Sequence, residues 1–446
     1  MNENTIIHVV PDKVQGEVSA LYSVPGTHVL FIGPRECARH NCRMHYRLGR
    51  ISWLCPTDAE LAMGRLESMV PESVESLIER YKQEQKELFG VILYTGCQTE
   101  FLNVDFDYLL RMIRKRFHIA AAHHSISRFQ RFDRMRPAER DIFGDVFRLL
   151  EPVDSDVAQS EAVPSSGGLQ VLSRPVPMDQ TNDFRVIAES AGMGWSRNTG
   201  EWHSAEDFLR SRESTLNIVT AEERLPAARY LQSAFGIPWI VLKDSRRLTV
   251  VDKNYRMLQE KLGEMPETMD IAEASEKMRK EAVRRIEATR ETAGDRVLTL
   301  DLQQSSRPWD VTRALIEYGF RIGKIVLRSF PAPPGLKPPR GIQPPPGMRK
   351  TRQDTEDNTW VKKNAPNLEV EEKRPDFRRM MRGGACIHDL PEYLEKTEDT
   401  APKPEGFPPV QPGPGGGASE AAYWGYSGIC MLMEQICKSL DGQQRI

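Results

Sequence analysis

The feature that most constrains this chain is a repeated alternation of short, unbroken apolar runs with helix-periodic segments. Residues 28–33 (His-Val-Leu-Phe-Ile-Gly) and 90–94 (Gly-Val-Ile-Leu-Tyr) are such runs, stopped by Gly-Pro and Thr-Gly turns. A strand buried on both faces reads this way, whereas one covered on a single face would alternate apolar with polar. Between the runs, Thr57 and Asp58 supply a helix cap, and Pro71 opens a second helical stretch reaching about 88. Residues 105–117 are helix-periodic, and 118–122 form a further apolar run. The same grammar continues. Strands are expected at 169–172, 215–219 and 236–242, and helices at 183–191, 222–235, 252–262 and 271–292. A β-α-β unit follows over 296–301, 309–318 and 324–328. Strands alternating with helices imply parallel sheets with helices on both faces.

At 446 residues the chain is too long for one core, and about 100–200 residues per domain suggests several units. We read three α/β domains, at 1–165, 166–292 and 293–446, the first closing in a Ser/Pro/Ala/Gly-rich linker over 153–168. In the third the pattern dissolves. Residues 331–347 hold eight prolines in seventeen positions, and 402–417 are again Pro/Gly-rich. A Pro-rich insert over 331–417, with an extended polyproline arm, is therefore expected before a final helix at 419–440. The charges nearly cancel, 61 Lys+Arg against 63 Asp+Glu, so a nucleic-acid partner is not expected. No apolar stretch approaches the roughly 20 residues of a membrane span, and the N-terminus lacks a signal-peptide pattern. The expectation is a cytoplasmic protein.

Seven cysteines are too few for a disulfide scaffold, but Cys37, Cys42, Cys55 and Cys97 crowd the first quarter. No Walker A loop and no G-x-S-x-G elbow occurs. The segment from Gly33 to His45 is dense in soft ligands (Cys37, His40, Cys42, His45), and Cys37 and Cys97 each follow a strand end, where α/β folds place their working groups. Thiolates there can hold a soft metal or an iron–sulfur cluster. Two other readings stay open: a local zinc knuckle, disfavoured because its ligand pairs would be too close in sequence, and plain buried thiols. A Gly413–Gly417 loop before the last helix could meet an anion at the helix N-terminus or be a simple connection.

Three motifs in succession resemble the nitrogenase component 1 superfamily. They are Gly33-Pro34-Arg35-Glu36-Cys37, then Asp58-Ala59-Glu60-Leu61-Ala62-Met63-Gly64, then Thr95-Gly96-Cys97-Gln98-Thr99-Glu100 running on to Asp105. The resemblance continues through Leu216-Asn217-Ile218-Val219 and Phe235-Gly236-Ile237-Pro238-Trp239 to Gly425-Tyr426-Ser427-Gly428. That superfamily includes the nitrogenase α and β subunits, cofactor-assembly scaffolds and dark-operative protochlorophyllide reductase. The resemblance implies three Rossmann-like parallel-sheet domains around a cleft, here with a degenerate Pro-rich third domain. It further implies an iron–sulfur cluster, 4Fe-4S or larger, held at a subunit interface by Cys37 and Cys97. The implied partners are a sister component 1-like chain, in a heterodimer or heterotetramer, or a second copy in a homodimer. An ATP-dependent iron protein would supply the electrons.

The departures from the pattern carry information of their own. The place of the family's first cluster cysteine is taken by Asp12, in Pro11-Asp12-Lys13-Val14-Gln15-Gly16. Protochlorophyllide reductase relatives use an aspartate ligand in one subunit, so the resemblance makes Asp12 a candidate ligand, with Cys42 as a substitute. The cysteine that holds the large nitrogenase cofactor corresponds to Ala221, and the cofactor histidine falls in Gly413–Gly417, which contains none. This chain is therefore not expected to ligate that cofactor, and no catalytic residue is assigned. The leading expectation is a subunit of a nitrogenase-like reductase. The alternatives are a non-catalytic scaffold for metallocofactor assembly and a degenerate structural partner.

Overall fold

The computed structural model describes residues 5–8, 21, 23–37, 50–125, 138–153, 167–173, 177–265, 269–303, 305, 307–328, 352–373 and 423–441. After an N-terminal strand β1 (Thr5–His8), the first sheet is built from β2 (Thr27–Ile32), β3 (Ile51–Leu54), β4 (Gly90–Thr95) and β5 (Ala120–Ser125). Its spatial order is β3-β2-β4-β5, all parallel. Helices α1 (Asp58–Ala62) and α2 (Leu66–Gln83) join β3 to β4; α3 (Cys97–Phe101) and α4 (Phe106–Phe117) join β4 to β5; α5 (Ala138–Phe147) follows. Thr57 caps α1 in a capping box: its hydroxyl accepts from the Glu60 amide and its own amide donates to the Glu60 carboxylate at 2.7 Å. Pro71 does not open a helix. It lies in the second turn of α2, which starts at Leu66.

The second sheet takes β6 (Gly168–Leu172), β7 (Trp195–Asn198), β8 (Ser214–Val219) and β9 (Trp239–Val241) in the order β7-β6-β8-β9, again parallel. Its helices are α6 (Asp183–Ser190), α7 (Ala205–Leu209) and α8 (Leu225–Phe235), and α9 (Leu248–Gly263) and α10 (Ala272–Ala293) lead onward. The third sheet contains β10 (Val297–Asp301), then α11 (Pro308–Glu317), β11 (Arg321–Arg328), α12 (Arg352–Asn364) and β12 (Glu369–Lys373). Strand β1 pairs in parallel with β10, giving the order β1-β10-β11-β12. The N-terminal strand thus belongs to the last sheet. Helix α12 and strand β12 stand inside the expected Pro-rich insert and extend the third sheet by a β-α-β unit; the polyproline arm expected over 331–347 lies outside the described residues. The last helix, α13, runs Gly425–Leu440.

Burial explains why the runs carry so few polar residues. In β2, Leu30 and Ile32 face α2 and α4 with Val70, Val74, Leu109 and Ile113, while Val29 and Phe31 face the other way. That second face shares its core with Leu172, Val219, Ala227 and Leu231 of the second sheet and α8. The second and third sheets share another core, into which α13 sends Ile429, Leu432, Met433 and Ile436.

Helix α13 is seated by one carboxylate. Asp183, fully buried at the start of α6, accepts from the Tyr426 amide (2.6 Å), the Ser427 amide (2.9 Å) and the Tyr255 hydroxyl (2.6 Å). Two helix N-termini, of α6 and α13, therefore converge on one anion, which their aligned peptide dipoles favour. Burial nonetheless pushes the Asp183 carboxyl up to about 6. Gly425 takes φ of 63°, and a Cβ there would lie 2.3 Å from Asp183 Oδ2, so only glycine permits the approach. Trp424 stacks on Phe184 at 4.2 Å beside this contact. A second buried polar knot fixes α12. Asp357 is fully buried and paired with Arg247 (3.4 Å) and Arg313 (3.1 Å), while Asp310 accepts from Ser245 Oγ (2.6 Å) and the Arg246 amide (2.7 Å).

Two expectations follow for stability. Asp183→Ala strands two buried amides and a hydroxyl and should cost roughly 3 kcal/mol or more, read as a lower urea midpoint. Gly425→Ala should cost a comparable amount by steric overlap and the left-handed φ, with Ser427→Ala as the mild control. The pH dependence is set in part by His28, buried on β2 between Tyr81 Oη (3.1 Å) and Ser52 Oγ (3.0 Å). Burial, with Arg80 and Arg50 nearby, lowers it to about 3, so it is neutral in the folded chain but titrates near 6.5 when unfolded. Its contribution is complete above pH 6.5 and declines as pH falls toward 3, by roughly 2–3 kcal/mol at pH 4.5. His28→Gln should flatten that part of the acid limb; an unchanged slope between pH 6.5 and 4.5 would contradict the assignment.

Candidate functional site

In a parallel sheet every strand ends on the same edge, and the loops leaving that edge carry the chemistry. The register of the first sheet pairs Ile32 with Leu54 on one side and with Thr95 on the other. Three cysteines therefore follow the tips of three adjacent strands: Cys55 after β3, Cys37 after β2 and Cys97 after β4. Cys37 lies in helical backbone that begins just past the Gly33-Pro34 turn, and the Gly33 amide donates to the Leu54 carbonyl at 3.1 Å. Cys97 is the first residue of α3 and is exposed, whereas Cys37 and Cys55 are half-buried against the core shared with the second sheet. Burial raises the Cys55 thiol above its ordinary range, with Arg35 opposing and Glu36 assisting the shift.

The turn bearing Cys97 is braced internally. Thr99 Oγ1 donates to the Gly96 carbonyl (2.9 Å), and Asp105 caps α4 by accepting from the Tyr108 amide (2.8 Å). Behind it, β5 sends two consecutive histidines to opposite faces. His123 Nε2 lies 2.8 Å from Thr95 Oγ1 and its ring stacks on Phe106 with centroids 3.9 Å apart. Burial is the main reason its pKa falls to about 3, so the ring is neutral. His124 stacks on Tyr94 and its Nδ1 meets Asp145 Oδ2 at 2.9 Å. In the sequence the only local signal for either histidine is their adjacency after Ala120-Ala121-Ala122.

The surface around this edge is unusually apolar. Among the described residues eight large hydrophobic side chains are exposed, and five of them (Trp53, Met63, Phe101, Leu102 and Tyr108) lie on β3, α1, α3, α4 and their connections. Phe101 and Leu102 follow Cys97 within five residues and are 73% and 43% exposed.

The structure brings Cys37 and Cys97 to neighbouring strand tips. Asp12 and Cys42 lie outside the described residues. Among the described residues no three His, Cys, Asp or Glu side chains converge as a metal site. The three thiols at this edge, Cys37, Cys55 and Cys97, are still fewer than the four ligands a four-iron cluster requires. Ala221 opens the short turn after β8 and offers no donor side chain, and residues 413–417 lie outside the described residues. Cys430 and Cys437 sit on α13; burial pushes Cys430 up to about 11, and Cys437 Sγ lies 3.3 Å from Thr289 Oγ1, so both are packing residues.

Comparison with known proteins gives the family and the fold. The family model for nitrogenase component 1 type oxidoreductases matches residues 15–441, so the chain belongs to that family. Among solved structures, one described as nitrogenase Cp1 at pH 6.5 is similar over 99% of this chain and 95% of its own, with TM-score 0.54 and 14% identity. Another, nitrogenase Cp1 at pH 5, covers 98% and 90% with TM-score 0.44 and 12% identity. The first shows a shared fold. No curated protein matches the sequence. Among the described residues no helix is long and apolar enough to cross a membrane.

Thiolate reactivity follows exposure and pKa. In metal-free protein, Cys97 should be alkylated by iodoacetamide well before Cys55 and Cys430, as read by peptide mass spectrometry at pH 7.5. Labelling of Cys430 first would contradict the packing described here.

Proposed function

We propose that this chain is a subunit of a cytoplasmic nitrogenase-like reductase and that Cys37 and Cys97 ligate an interfacial iron–sulfur cluster. The observation that carries the reading is the placement of these two thiols after the tips of adjacent parallel strands β2 and β4, within a family match spanning nearly the whole chain. Such a cluster, when bound, accepts and releases single electrons. The chain's own part is to supply thiolates, to exclude water from one side through the core behind Cys37, and to present an apolar edge to a second subunit. Asp12 is the proposed third ligand, its carboxylate standing where relatives carry a cysteine. The electron donor is an ATP-dependent iron protein, a separate chain. The large nitrogenase cofactor is not held here, since Ala221 has no donor atom to offer.

Anaerobically purified protein, with its partner chain where needed, should show broad visible charge-transfer absorption and bind iron and sulfide. Cys37→Ala and Cys97→Ala should each bleach the absorption; unchanged spectra in both would overturn the reading. Asp12→Cys should keep the cluster and lower its reduction potential, because thiolate is the softer, more electron-rich donor. Native mass measurement tests the interface: a monomer with a full complement of tightly bound iron would contradict a shared cluster. Turnover with a cognate iron protein and ATP separates a reductase from an assembly scaffold of the same fold.

A further inference from the structure

The segment from Gly96 to Asp105 leaves the sheet at Thr95, carries Cys97 on α3, and re-enters the packed layer at Phe106, the first residue of α4. A ten-residue excursion of this kind holds its ligand in place only if its two ends are fixed relative to each other. One side chain touches both ends. The His123 ring, projecting from the neighbouring strand β5, meets Thr95 Oγ1 at 2.8 Å and lies flat on Phe106, 3.9 Å between centroids and 11° between planes. Thr95 itself is fully buried, so its hydroxyl cannot exchange this partner for bulk water. The strand register places both residues on one face. Leu93 is opposite His123 and Thr95 is opposite Ser125, so His123 and Thr95 share the face that α4 covers.

We propose that His123 is the positioning residue of the Cys97 turn, pinning the strand end through Thr95 and the helix start through Phe106. It thereby fixes the direction in which Cys97 is offered at the edge it shares with Cys37. The inference rests on the reading of Cys97 as a cluster ligand for its functional consequence, though the clamp itself is a property of this chain alone. His123 touches no reacting group. A clamp of this design divides its work between a hydrogen bond and a stacking contact, and two substitutions separate them. His123→Gln keeps an amide able to reach Thr95 and loses the stack; His123→Phe keeps the stack and loses the hydrogen bond; His123→Ala loses both.

The test is amide hydrogen exchange by mass spectrometry on the anaerobically purified protein, combined with electron paramagnetic resonance of the reduced sample. Peptides covering 96–106 should exchange several-fold faster in His123→Ala, with intermediate rates in His123→Gln and His123→Phe and unchanged protection of β2. The resonance of the reduced cluster should shift in His123→Ala and return toward wild type in the two partial variants. Unchanged exchange over 96–106 in all three variants would overturn the inference, as would an acceleration spread evenly across the first sheet. Should His123→Ala fail to fold, the two partial variants alone decide it by the same criteria. The two readings fail differently. If Cys97→Ala leaves bound iron and its spectrum intact, the ligand assignment falls; if Cys97→Ala abolishes them while the His123 variants change neither exchange nor resonance, only the clamp falls.

Discussion

The buried carboxylate of Asp183 is the interaction on which the arrangement of the second and third sheets depends. It stands where the N-termini of α6 and α13 meet, and its three donors come from Tyr255 on α9 and from the first residues of α13. Residues 183 and 426 are far apart in sequence, so the contact closes most of the second half of the chain into one unit. An anion in a dry core is expensive unless donors surround it, and here the donors are backbone amides that would otherwise be orphaned at a helix end. Gly425 is the accomplice, since any side chain there would occupy the space of the carboxylate. With α13 seated, its apolar residues fill the core between the two sheets, and Tyr426 Oη reaches Asp252 at 2.7 Å to tie down α9.

The first sheet is organised differently. It has no comparable buried ionic centre among its described strands; it is held by apolar faces on both sides and by neutral polar pairs such as His28 with Tyr81 and Ser52. The described cysteines of this domain gather at the sheet's carboxyl edge. Cys37, Cys55 and Cys97 lie there, beside exposed Phe101 and Leu102. A shared cluster and an apolar subunit contact have compatible demands: both need a surface that becomes dry only on assembly, so that thiolates are accessible beforehand and shielded afterwards.

A polar knot also accounts for the helix and strand over residues 352–373. A proline-rich stretch followed by polar sequence gives little reason to expect regular structure. Asp357 nonetheless draws α12 onto the third sheet by pairing with Arg247 and Arg313, and the Arg313 guanidinium lies 4.5 Å from the Trp360 ring. The strand that follows, β12, is rich in glutamate, and its pairing with β11 is supported by Lys324 against Glu369 and Glu371.

What the sequence determined by itself were the elements whose signals are local. Short apolar-rich runs specified β2, β4, β8, β10 and β11, and caps and periodicity specified α4, α6 and α10, because burial on two faces or on one stripe must be written residue by residue. The Gly-Pro and Thr-Gly turns likewise announced that Cys37 and Cys97 follow strand ends. Tertiary structure alone decided the rest. Strand β1 is four residues long and exists through its pairing with β10, nearly 300 positions away; β3, β7 and β12 are edge strands whose short or polar sequences become strands only when a neighbour offers its hydrogen bonds. The contact of His123 with Thr95 and Phe106, and of Asp183 with α13, join residues that no local pattern links. They depend on strand register and on helix ends meeting in space, and those are settled only when the chain has packed.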